Sequence, residues 1–296
     1  MKKVGIIGAN SYIARNLIYF FEHETKIELK LYDRTDSHVD GKMNYFKINV
    51  LDISSLENID FDCDIIYFFV GKTGSINGYS EYENFIDINE KALLNFLTAY
   101  QKANSNAKVV FPSTRLVYKG KSGFLKEDDE KEFKTVYAIN KFACENYLQQ
   151  YNCVFGVKYC IVRICLPYGT LIDGATSYGT AEFMLKNAKN KKNITLYGDG
   201  AVRRTLIYIG DLCCLLKEVG FSNSCVNDIY NIGGENYSLY EMASLIAKRY
   251  HVSIDYIPYP DIAKKIESGD TVFDDSKLRK IINVDFKMHF SDWCNR

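Results

Sequence analysis

The chain has 296 residues, enough for about two domains at roughly 150 residues each. Its 37 lysines and arginines balance 37 aspartates and glutamates, which argues against the basic surface of a nucleic-acid or anionic-membrane binder. At 47% hydrophobic residues it is too apolar for a disordered chain, yet apolar runs such as residues 65–70 fall far short of the roughly 20 residues of a membrane span.

In chain order, a short apolar run at 4–7 predicts a buried strand, and a helical pattern follows over 12–22. Further strands are predicted at 27–32, 45–50, 64–70 and 108–111. Between the last two lies a predicted long helix over 83–103, with Ile86, Leu93, Phe96 and Leu97 at helical spacing. A second long helix is predicted over 136–151 and another strand over 157–163. After Pro167 the pattern loosens, punctuated by Gly169, Gly174, Gly179, Gly198 and Gly200; a strand at 203–209 and a helix at 238–250 follow. Strand–helix alternation with hydrophobic strands predicts an α/β fold, a doubly wound parallel sheet covered on both faces. The nine cysteines contain no Cys-x-x-Cys pair, and no leader-like segment opens the chain, so a reduced, cytoplasmic protein is expected. Four histidines without ligand spacing argue against a zinc site, and no metal is expected.

Gly8 follows the first predicted strand and opens the first helix, with Ser11 and Ala14 standing where a dinucleotide-binding turn usually has its second and third glycines. Small residues there let a pyrophosphate approach the backbone and the helix N-terminus. A plain tight turn would look much the same; Asp33 strengthens the functional reading. It ends the second predicted strand, about 20 residues on, where a carboxylate can bind the adenosine ribose hydroxyls. Asp33 favours NAD, while Arg34 beside it leaves NADP possible.

Tyr137 and Lys141 share one face of the second long helix at i, i+4. A phenol is a poor base near neutrality, and a nearby lysine cation is expected to lower its pKa. With 23 tyrosines in the chain, such a pair arises easily by chance. Ser113 and Thr114 follow the strand ending at Phe111, at the carboxyl end where doubly wound sheets bind ligands.

Together these features resemble the extended short-chain dehydrogenase/reductase family, in its NAD-dependent epimerase/dehydratase branch acting on nucleotide sugars. The resemblance runs through nearly the whole chain in order: Gly8; Asp52; Asp64 to Gly71; Asn89; Thr114, Tyr137 and Lys141; Arg163 to Gly169; Leu196 to Gly200; Arg203 and Arg204; Tyr208 to Asp211; Asn231 to Gly234; Gly269 and Asp270; and Asp274 to Lys277. It implies a Rossmann core over 1–165, to which 202–232 return, and a smaller substrate-binding module over 166–201 and 233–296. It implies Thr114, Tyr137 and Lys141 as the catalytic residues. Tyr137 would move the proton of a sugar hydroxyl, Thr114 would hold the oxygen, and Lys141 would bind the nicotinamide ribose. Its cofactor contacts would be Gly8, Asn10, Ser11, Tyr12, Ile13, Asp33, Arg34, Asp52, Ile53, Val70, Gly71, Lys72, Asn89 and Leu166, besides Tyr137 and Lys141. On the substrate side it points to Thr73, Thr114, Arg115, Tyr178, Thr180, Tyr197 and Arg204, with Arg204 facing the substrate diphosphate. A homodimer through the two long helices is expected.

Four departures sharpen this. Arg115 and Leu116 replace the Asp-Glu pair of the family's 4,6-dehydratases, which argues against a dehydratase. Leu166 and Pro167 stand where many relatives have an asparagine, Thr205 where an aspartate is common, and Ile266 and Glu267 where UDP-sugar enzymes often carry an arginine. Three functions remain: an epimerase, in the first place at C4; a 4-keto-sugar-nucleotide reductase; and a non-catalytic dinucleotide-binding regulator, disfavoured because Thr114, Tyr137 and Lys141 are all present.

Overall fold

The computed structural model describes residues 1–22, 26–177 and 179–296. In chain order its elements are β1 (Lys2–Ile7), α1 (Tyr12–Glu22), β2 (Ile27–Asp33), β3 (Tyr45–Lys47), β4 (Ile65–Phe68), a helical run α2 over residues 82–102, β5 (Lys108–Thr114), α3 (Val136–Phe155), β6 (Tyr159–Ile164), β7 (Leu166–Tyr168), α4 (Thr180–Lys189), β8 (Ile194–Tyr197), β9 (Arg203–Tyr208), α5 (Ile209–Phe221), β10 (Asp228–Asn231), β11 (Glu235–Ser238), α6 (Leu239–Tyr250) and β12 (Ile254–Ile257).

Seven strands form one sheet in the order β10-β6-β5-β4-β1-β2-β3, and every pairing in it is parallel. Its inner strands β4 and β6 are buried on both faces, as their continuous apolar runs require. On one face α1 and α5 meet through Leu17, Phe21, Leu212 and Leu216; on the other, α2 presents Leu93, Phe96 and Leu97 against Phe68 and Phe111. This is the doubly wound Rossmann architecture.

The helix α2 is interrupted by a π-helical turn at Asp87–Lys91, which carries the buried Asn89. Helix α3 opens on Thr135, whose side chain accepts from Ala138 N, and closes on Gly156 in the left-handed conformation.

One strand pairs elsewhere than expected. The strand at 203–208 does not join the large sheet with the rest of 202–232. It pairs parallel with β7 and antiparallel with β11 in a separate three-stranded sheet, while α5 and β10 do pack on the core. Its apolar pattern predicts a buried strand but not its partner. A second cluster, with Met184, Leu196, Leu206, Met242, Ile246 and Phe290, gathers around that small sheet. Among the described residues, no helix is long and apolar enough to cross a membrane, and no cluster of three or more metal-ligating side chains occurs.

Candidate active site

The turn after β1 is built around Gly8, at φ +83°. A Cβ there would lie 2.8 Å from the Phe69 carbonyl carbon and 2.8 Å from Val70 N, so only glycine lets the turn lie against the end of β4. Gly8 N and Ala9 N both donate to Tyr32 O, and Asn10 N donates to Asp33 Oδ2 at 2.9 Å. The turn is thereby pinned to the end of β2. The Asn10 side chain holds the following loop, donating to Thr35 Oγ1 and accepting from Val39 N.

Beside this turn lies a cleft of about 560 Å³, within the ~300–1,000 Å³ usual for small-ligand sites. Gly8, Asn10, Ser11, Asp33, Arg34, Val70, Gly71 and Lys72 line it. So do Thr35 and the apolar Ile48, Val50 and Leu51, which the motif reading misses because such wall residues carry no spacing signal. Ser11 Oγ, just before α1, is buried with no hydrogen-bond partner among the described residues. A glycine turn, an unsatisfied hydroxyl at a helix start and a carboxylate at the end of β2 fit a dinucleotide.

Not every cofactor candidate lies along this cleft. Asp52 turns back on its own loop, accepting from Ser54 N and Ser54 Oγ, and Ile53 is exposed at 41%. Tyr12 reaches the other way, its hydroxyl donating to Gly169 O at 2.8 Å, and Ile13 packs against the core. Leu166 belongs to β7 in the small sheet.

The cleft meets the catalytic helix at Gly71. Asn89 holds this loop through its backbone: Oδ1 accepts from Lys72 N at 3.0 Å and Nδ2 donates to Lys72 O at 3.1 Å. A Cβ on Gly71 would lie 3.2 Å from Asn89 Oδ1 and 3.7 Å from Lys141 Nζ. The Lys141 amine donates to Pro112 O at 2.8 Å and sits 4.2 Å from the Phe111 ring centroid. It therefore bridges the Gly71 loop and the carboxyl end of β5, where Ser113 and Thr114 stand. Thr114 Oγ1 caps the short turn Arg115–Val117, accepting from Leu116 N. Ser113 Oγ is buried without a partner among the described residues.

The expected effect of Lys141 on Tyr137 is not what the charges give. Burial pushes the Tyr137 phenol above its ordinary value, and no described side chain hydrogen-bonds it. Burial also holds the Lys141 amine down, at about 8. The amine donates to the Pro112 carbonyl, and the two side chains share a helix face.

On the substrate side Arg204 departs from expectation most clearly. It is 2% exposed and its guanidinium is already taken. Nη2 donates to Glu267 Oε1 at 2.6 Å, and Nη1 donates to Arg203 O and Gly269 O at 2.9 and 2.5 Å. Its expected free fork for a diphosphate is closed by Glu267, a partner 63 positions away. Arg115 lies nearby, with Nη1 at a long 3.4 Å from Ser268 Oγ. Burial, and then repulsion from Arg204, bring its guanidinium down to about 10. Thr180 is the first residue of α4. Tyr197 is exposed at 42%, its ring 5.6 Å from that of Tyr259. Thr73 is exposed beside the Gly71 loop. Tyr178 lies outside the described residues.

Residues 4–233 match the NAD dependent epimerase/dehydratase family. The chain is 26% identical over 247 residues to the uncharacterized UDP-glucose epimerase YtcB of Bacillus subtilis, covering 83% of this chain and 74% of that one. It is also 26% identical over 232 residues to the UDP-N-acetyl-alpha-D-glucosaminuronate decarboxylase of Bacillus cytotoxicus, covering 75% and 71%. Among solved structures, the UDP-glucuronic acid 4-epimerase of Bacillus cereus, in complex with UDP-glucuronic acid and NAD, superposes with a TM-score of 0.86. The identity is 18%, and the match covers 99% of this chain and 96% of that one. With more than half of its length matched and the cleft at the switch point of the parallel sheet, the chain belongs to the NAD dependent epimerase/dehydratase family.

Proposed function

We propose that the chain is an NAD(P)-dependent nucleotide-sugar epimerase acting at C4, through a transient keto sugar. The observation that carries this reading is the position of Gly71. Its backbone joins the dinucleotide-sized cleft to Lys141 and, through Pro112, to the strand end bearing Thr114. The Gly8 turn and Ser11 would hold the pyrophosphate, Asp33 the adenosine ribose, and the Gly71 loop the nicotinamide end. When bound, the dinucleotide supplies the capacity to accept and return a hydride. Tyr137 takes the proton of the sugar hydroxyl as the phenolate and returns it as the phenol. Thr114 holds that oxygen, and Lys141 orients the nicotinamide ribose.

Arg115 and Leu116 offer neither the acid nor the base that elimination of water demands, so we propose that the chain is not a 4,6-dehydratase. The relatives named above are both named for UDP-linked sugars, which supports a nucleoside-diphosphate sugar as substrate. We further propose a homodimer through α2 and α3.

The test is to incubate the purified chain with UDP-, CDP-, GDP- and dTDP-sugars, with and without NAD(P)H. Interconversion of two C4 epimers without added reduced cofactor is expected. Tyr137→Phe should keep dinucleotide binding and lose turnover by about a hundredfold or more. Consumption of NAD(P)H with a 4-keto sugar alone, and no interconversion, makes the chain a reductase and overturns the reading.

A further inference from the structure

The substrate side holds two guanidiniums with one carboxylate between them. Arg204 is saturated by Glu267 and two carbonyls. Arg115 is not. Among the described residues it forms no ion pair, and the one hydrogen bond of its side chain is the 3.4 Å contact to Ser268 Oγ. Arg115 is half-buried, and a guanidinium with five N–H donors loses stability as it is withdrawn from water without an anion. Burial and the neighbouring Arg204 both work against its charge, yet it stays protonated near neutrality.

The backbone that carries Ser268 is fixed against the loop that follows Arg115. Gly120 N donates to Ser268 O at 2.8 Å, and a Cβ on Gly120 would meet that oxygen at 2.0 Å. The loop after Thr114 and the strand approach at 268–270 are thus locked backbone to backbone. Arg115 also begins the turn capped by Thr114 Oγ1, so its backbone position is tied to that of the residue assigned to the reacting oxygen.

We propose that Arg115 is a specificity residue whose guanidinium takes an oxyanion of the nucleotide-sugar substrate, close to the oxygen that Thr114 holds. The planar fork of arginine suits a carboxylate or a phosphate. Glu267 neutralises Arg204, so the unpaired cation of this site stands at position 115. The inference rests on the nucleotide-sugar reading and adds to it that an acidic group of the substrate is recognised here. That group is either a carboxylate on the sugar or a non-bridging oxygen of the diphosphate.

Calorimetric titration of the full chain and of Arg115→Gln and Arg115→Lys with UDP, CDP, GDP, dTDP, UDP-glucose and UDP-glucuronate tests this, with NAD affinity as the check on folding. Arg115→Gln is expected to weaken the oxyanion-bearing ligand about tenfold to a hundredfold while NAD binds as before. Arg115→Lys, which keeps the charge but not the fork, should recover part of that loss. A loss shared by the free diphosphates and the sugars assigns the oxyanion to the diphosphate; a loss confined to UDP-glucuronate assigns it to a sugar carboxylate. If the wild type binds a probe and Arg115→Gln binds every probe equally well, the assignment of Arg115 falls alone. Should Arg115→Gln fail to fold, Arg115→Lys decides: unchanged affinity overturns the assignment, and a severalfold loss supports it. A wild type that binds none of the probes overturns the nucleotide-sugar reading and this assignment with it.

Discussion

Lys141 is the residue where burial and chemistry pull hardest against each other. The residue is 4% exposed, and its amine is held at about 8, against an ordinary 10.5, because burial penalises the cation. The Pro112 carbonyl and the Phe111 ring offset only part of that penalty. The sign of the consequence follows from proton counting. Below about pH 8 the amine is charged in both folded and unfolded chain, and the folded state carries the full cost. Between about 8 and 10.5 the folded chain has released the proton and the unfolded chain still holds it, so stability gains with rising pH. Urea unfolding of wild type and Lys141→Met at pH 7, 8, 9 and 10 isolates this contribution. The wild type should gain relative to the variant between pH 8 and 10; a pH-independent difference would show that the amine is not held low. The same amine therefore serves as a cation only below about pH 8, which places the useful range of its charge near neutrality.

At the scale of elements, the catalytic helix is held by a buried network rather than by its apolar face alone. Arg163 on β6 forks onto Glu145 of α3 at 2.9 and 2.6 Å, and both side chains are at most 2% exposed. Arg163 Nη1 also donates to Tyr118 OH, and that hydroxyl donates to Asn231 Oδ1 at 2.7 Å, which joins β6, α3, the turn after Thr114 and β10. Glu145→Ala leaves a buried guanidinium without its carboxylate and is expected to cost about 3–5 kcal/mol in urea unfolding. A loss under roughly 1 kcal/mol would mean that the network is redundant. The sequence showed Arg163 and Glu145 only as a charge on a strand and a charge on a helix, because their pairing is set by how α3 crosses the sheet. The elements themselves were legible, since strand runs and helical spacing are local: 82–102 and Val136–Phe155 lie close to the predicted helices. The π-helical turn at Asp87–Lys91 left no periodic trace, yet it is where Asn89 turns inward to hold Lys72. In the candidate site, the spacing that puts Gly8, Ser11 and Asp33 along one cleft, and Tyr137 and Lys141 on one helix, could be read from neighbours in the chain. The Arg204–Glu267 pair could not, because the two meet only when the small sheet brings residue 204 against the segment 267–271. The sheet partners of the strand at 203–208 escaped for the same reason.

At the scale of the molecule, the two long helices bury one side in the core and leave apolar side chains exposed outside, a stripe on α2 and one residue on α3. Tyr82 and Ile86, one turn apart on α2, are 53% and 44% exposed, and Ile139 on α3 is 51% exposed. The helices are fixed relative to each other by Glu90, which accepts from Asn140 Nδ2 and from Tyr147 OH, so the stripe is a rigid surface. A rigid exposed patch of large apolar side chains at the outer face of two packed helices suits a self-complementary, two-fold contact. Such a contact would need about 1,600 Å² of total buried area, more than these three side chains supply, so the flanking turns of α2 and α3 must join it. Helix α3 carries Tyr137 and Lys141 two positions on either side of Ile139, so association would stiffen the helix that positions both. Ile139→Glu places a charge on the exposed face of α3, away from the core. Sedimentation equilibrium should show the wild type as a dimer and Ile139→Glu dissociating with at least a roughly tenfold weaker constant, its thermal unfolding otherwise intact at low pairing concentration. A monomeric wild type rejects the dimer altogether, and an Ile139→Glu variant that associates as tightly as wild type moves the contact off these helices.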